Sequence, residues 1–151
     1  MSGKKSDLGP IGANVTQTVR KFRQARGLRY AELSRRLAEM GRDIPSLGLR
    51  RIESGERRVD ADDLVALAVA LDVTPLALLF PSATDGDGQL VSKGNPMPWQ
   101  HIWVWGTGQG PLSGDPVTFV RDCNPLKWTH VEAVVADFSG GGDLDNAGEA
   151  Q

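Results

Sequence analysis

The chain has 151 residues, 24% of them charged and 40% hydrophobic, with a net charge of −2, which is the make-up of an ordinary globular protein. No apolar run approaches the roughly 20 residues needed to span a bilayer, and the basic opening MSGKKSDLGP lacks the apolar stretch of a signal peptide. Cys123 is the single cysteine, so no intrachain disulfide forms and a cytoplasmic location is expected.

The small net charge hides an asymmetry. Residues 1–60 hold 14 Lys/Arg against 7 Asp/Glu, a net of +7, whereas residues 61–151 hold 3 against 12, a net of −9. Such a split suits a basic face for a polyanion, joined to an acidic segment. Charge alone leaves chance clustering on solvated helix faces as the alternative.

Residues 1–10 read as a flexible arm. From Ile11 the apolar residues Ile11, Val15, Val19 and Phe22 recur at helical spacing, and Arg20, Lys21, Arg23 and Arg26 decorate the polar side. Gly27 suits the left-handed position that ends a helix, with Leu28 packing back. A second helix is expected from about Tyr30 to Met40, burying Leu33, Leu37 and Met40. Glu32 stands where a capping box needs it, but Arg29 has no acceptor to complete the box. After a turn at 41–45, a third helix takes Pro45 near its start, points Leu49 and Ile52 inward and ends at Gly55.

Asp60 is a good N-cap for a fourth helix, with Asp62 and Asp63 suited to the helix dipole and Val59 placed to staple onto Leu64. Residues 64–71 are apolar nearly all round, which predicts a central core helix. Thr74 and Pro75 open a short fifth helix that stops before Pro81. Residues 11–81 thus form one compact, all-α, five-helix domain. Residues 82–98 are a linker by composition. Residues 99–139 form a small, weakly ordered Trp-containing extension, with short helices at Trp99–Trp103 and after Asp115-Pro116, and a dimer contact. Ile102–Trp105 also alternates like a strand. Leu126, Trp128, Val131, Val134, Val135 and Phe138 hint at a last amphipathic stretch, and residues 140–151 form a disordered acidic tail.

The segment Ala31-Glu32-Leu33, the run Leu49-Arg50-Arg51-Ile52-Glu53-Ser54-Gly55, and the apolar positions Leu64, Leu67, Ala68, Ala70, Leu71, Val73 and Leu76–Leu79 together resemble the Cro and lambda-repressor family of helix-turn-helix regulators, also called the xenobiotic-response-element type. The resemblance covers about residues 11–80. It implies a lambda-repressor-like DNA-binding domain whose third helix reads the major groove. Two departures stand out. Residues 39–43 are extra in the turn, which would lengthen the second helix and tilt the third. Arg29 and Tyr30 replace the usual cap and the Gln that touches DNA.

By position, the resemblance makes Ser46, Leu47, Gly48 and Arg51 base-facing, and Arg29, Tyr30, Arg50, Arg57 and Arg58 phosphate-facing. Arg51 suits guanine O6 and N7, and Leu47 suits a thymine methyl. Gly48 would let the helix approach the groove closely. Leu47 as a buried staple, Arg51 as a solvated arginine and Arg57-Arg58 as a solubilising pair are the structural alternatives. Glu53 is expected to pair with an arginine internally.

Catalysis finds little support: His101, His130 and Cys123 have no partner at triad or metal-ligand spacing, and residues 106–110 lack the Lys-Ser/Thr of a phosphate loop. The chain is therefore expected to be no enzyme, with no cofactor and no metal. It is expected to bind double-stranded DNA as a homodimer and regulate transcription as a repressor, away from any membrane; no effector is specified. A protein-interaction module, antitoxin-like or adaptor, is the alternative use of the same five helices.

Overall fold

The computed structural model describes residues 7–124. Expectations for residues 1–6, for Leu126, Trp128, His130, Val131, Val134, Val135 and Phe138, and for the acidic segment 140–151 lie outside the described residues. The helices are α1 (Pro10–Ala25), α2 (Tyr30–Glu39), α3 (Ser46–Ser54), α4 (Ala61–Leu71), α5 (Pro75–Leu79), α6 (Trp99–Gly106) and α7 (Pro116–Cys123). Two short strands, β1 (Asp87–Gly88) and β2 (Met97–Pro98), pair antiparallel, with Asp87 opposite Pro98. The chain divides into two compact units, one through Ile102 and one from Trp103 onward.

In the first unit, Val15 and Val19 of α1, Leu33 and Leu37 of α2, Leu49 and Ile52 of α3, Leu67 and Leu71 of α4 and Leu78 of α5 form one buried core. α1 ends as its sequence predicts. Gly27 has φ of 63°, and the Leu28 amide donates to the Arg23 carbonyl at 3.1 Å, the closing bond of a Schellman motif. Polar bonds also tie α1 to α5: the buried Thr18 hydroxyl donates to the Leu78 carbonyl at 2.5 Å, and Asn14 Nδ2 donates to the Leu79 carbonyl. Asp60 caps α4 by accepting from the Asp63 amide at 2.7 Å, and Thr74 caps α5 from the Ala77 amide.

Three expectations are corrected. The extra residues after α2 do not lengthen it: α2 ends at Glu39, because Gly41 takes a left-handed φ of 80° and the Arg42 amide closes onto the Leu37 carbonyl. Met40 is consequently 43% exposed, and Ile44, which sequence placed in a turn, is buried in its stead. α4 is not enclosed all round, since Val65 and Val69 stand exposed one turn apart. The short helix expected at Trp99–Trp103 is present as α6, so the alternative reading of Ile102–Trp105 as a strand falls.

Residues 82–98 contain the β1–β2 pair. Trp99 is buried and lies 6.0 Å from Phe80, ring centre to ring centre. Gly88 gives it room: a Cβ there would meet the indole at 2.2 Å. In the second unit, Asp115 caps α7 by accepting from the Thr118 amide at 2.8 Å, and hydrogen bonding from the Thr118 side chain, then from its amide, holds the Asp115 carboxyl below the usual range. Asn124 Nδ2 donates to the Gly108 carbonyl.

Candidate nucleic-acid interface

The side chains that orient α2 and α3 meet at Glu53, whose carboxylate is 1% exposed. Arg23 of α1 grips it with Nε at 2.6 Å and Nη2 at 3.0 Å, and the Tyr30 hydroxyl of α2 donates to it at 2.8 Å. Arg20 adds a bond to the Glu53 carbonyl at 2.9 Å. Burial pushes the Glu53 carboxyl up, but the Arg23 and Tyr30 hydrogen bonds and the nearby arginine charges outweigh it and hold the carboxyl below the usual range. Burial and the bond to Glu53 raise the Tyr30 phenol. One anion thus ties three helices together.

α3 starts from Pro45 and α2 from Arg29, and no side chain caps either helix. A hollow of about 470 Å³ lies between these two ends, lined by Arg23, Arg29, Tyr30, Ala31, Ser46 and Arg50 among others. The Arg50 guanidinium packs 5.0 Å from the centre of the Tyr30 ring. Leu47 stands 58% exposed beside it on the first turn of α3, which removes the buried-staple alternative. Among the described residues, Arg29, Arg50 and Arg51 are the arginines whose side chains make no hydrogen bond or ion pair. All three are exposed and belong to the N-terminus of α2 or to α3.

The helix-turn-helix family matches residues 19–78. Over those residues the chain is similar to helix-turn-helix domains of the Cro/C1 type. Among solved structures, the restriction-modification controller protein C.AhdI from Aeromonas hydrophila aligns at 27% identity over 44% of this chain and 94% of that one, with a TM-score of 0.39. No curated protein matches the sequence.

Within the matched residues, α2, the turn 40–45 and α3 stand where the helix-turn-helix is expected, and several expected contact residues are placed otherwise. Gly48 is buried, not groove-facing: a Cβ there would stand 2.7 Å from Arg57 Nη1 and 3.2 Å from Ile44 Cγ2. The Tyr30 hydroxyl spends its proton on Glu53, so the ring is a support for Arg50 rather than a phosphate donor. Arg57 turns inward, with Nη2 at 2.9 Å from Asp63 Oδ2, and Arg58, though exposed, bonds the Asp7 carbonyl. Sequence reasoning missed Asp63 as an internal partner, because its role as a helix-dipole residue already accounted for the charge. No helix among the described residues is long and apolar enough to cross a membrane.

Proposed function

We propose that the chain binds double-stranded DNA sequence-specifically through α3 and regulates transcription, acting as a repressor and as a homodimer. The observation that carries this reading is the choice of arginines left uncommitted. Most arginines of the first unit are bonded internally, whereas Arg29, Arg50 and Arg51 are held out on the motif. In that arrangement Arg29 and Arg50 flank a phosphate at the uncapped end of α2, where helix amides and dipole favour an anion. Ser46, Leu47 and Arg51 on α3 are then the base-facing set. A single α3 touches few base pairs, so useful specificity calls for two copies on an inverted repeat with half-sites about 34 Å apart.

The test is selection of bound duplexes from a random pool by the purified chain, followed by footprinting and sedimentation of the complex. The expected outcome is an enriched inverted repeat protected by two copies. No enrichment above random duplex would leave the domain as a protein-binding module, and a monomer protecting one short asymmetric site would refute the dimer.

A further inference from the structure

Asp63, on the first turn of α4, is 1% exposed, yet its two oxygens serve residues on either side of α3. Oδ1 accepts from Arg42 Nε at 2.6 Å, in the turn that precedes α3. Oδ2 accepts from Arg57 Nη2 at 2.9 Å, in the turn that follows it. The Arg42 guanidinium also holds Asp60 at 2.9 Å, while its amide is bonded to the end of α2. Between the two arginines the loop carbonyl of Ile44 accepts from Ser34 Oγ at 2.7 Å. Arg57 in turn lies across Gly48, the point where α3 has no side chain to keep it away. The extra residues of the turn are therefore not slack, because their arginine is the loop's anchor.

We infer that Arg42, Asp63 and Arg57 form a clamp that sets the pose of α3, making them positioning residues for base recognition rather than DNA contacts. The inference rests on the DNA-binding reading for its consequence, but not for the clamp itself. A buried carboxylate with one arginine from each flank fixes both ends of a nine-residue helix against α4. Side chains on that helix reach base edges only within a narrow range of tilt, so loosening the clamp degrades discrimination before overall attraction to DNA. Arg57 is already neutralised by Asp63, so it releases no counterion from DNA on binding.

The experiment compares the full chain with Arg42→Gln, Arg57→Gln and Gly48→Ala. Each arginine variant leaves Asp63 its other partner, and Gly48→Ala pushes the Arg57 head away while raising helix propensity. Amide hydrogen exchange is followed along residues 40–58 without DNA. Affinity for the duplex selected by the unaltered chain, and for a scrambled duplex, is then measured over a salt series. The expected result is faster exchange at 43–48 and 55–58 and a loss of about tenfold or more in discrimination, with an unchanged salt slope. If Arg57→Gln instead makes the slope shallower by about 0.9 with discrimination intact, Arg57 is a phosphate contact and the clamp is wrong. Unchanged exchange at both ends of α3 overturns it too. If the unaltered chain selects no duplex, the DNA-binding reading fails, and hydrogen exchange alone then decides for or against the clamp.

Discussion

Glu53 is a buried anion that three helices share, and its loss should be felt more than that of any surface charge. Glu53→Gln leaves Arg23, whose side chain is 11% exposed, without its counter-charge. Removing one partner of such a pair costs about 3–5 kcal/mol, so the urea midpoint should fall accordingly. The pH dependence has a definite sign. The Glu53 carboxyl is held below its ordinary range, so the stabilisation is complete above about pH 4.3 and is lost as pH falls through the lower folded value. The stability gap between the unaltered chain and Glu53→Gln should therefore narrow in acid, with Asp60 and Asp115 cancelling because both proteins carry them. Arg51 belongs to the opposite class, exposed and unpaired among the described residues. On the proposed reading, Arg51→Ala should cost about 1–3 kcal/mol on the selected duplex and relax one base pair, with random-duplex binding nearly intact. Equal losses on both duplexes would remove Arg51 as a base reader. The internal role of Glu53 was legible from its place behind two outward arginines. The inward turn of Arg57 was not, since nothing in the local pattern separates it from exposed Arg58.

At the scale of elements, helix ends were the most legible feature. Asp60 and Thr74 each cap the helix that their position predicts, because a cap depends on bonds three residues away. Asp60 also holds Arg42, so its replacement should act on two elements at once. Asp60→Ala is expected to lower the melting temperature by a few degrees, whereas Asp60→Asn, which can still cap, should lose less. Equal losses would assign the whole effect to the Arg42 pair. The end of α2 was less legible, because Met40 fits the apolar stripe by spacing. Gly41 turns the chain away first, and Ile44 returns to fill the core. Helical periodicity cannot anticipate an apolar residue that re-enters from a loop.

At the scale of the whole molecule, the described residues place Trp99 in the first unit, beyond the boundary expected at residue 81. Its indole is buried, packs near Phe80 and leaves no space for a side chain at Gly88. Trp99→Ala should destabilise the first unit by about 3–5 kcal/mol. A chain ending at Pro81 should melt below one ending at Ile102, as followed by circular dichroism. Identical melts would show that residues 82–102 add nothing to the core and that the shorter boundary is right. The composition of 82–98 concealed this, because Gly, Pro, Asp and Ser mark a turn-rich segment whether or not it packs on a neighbour.

What the sequence by itself determined is the set of five helices from α1 to α5, the caps of α4 and α5 and most of the apolar positions that face the core. All of these follow from interactions within about four residues along the chain. The helix-turn-helix assignment was legible for the same reason, since its signature is a spacing of apolar and turn residues. Only the tertiary structure decided which arginines are committed internally and which remain on the surface of α2 and α3. Arg23 and Glu53 are 30 residues apart and Arg42 and Asp63 are 21 apart. Charge attraction carries no sequence period, so it becomes specific only after packing has brought the carboxylates within reach.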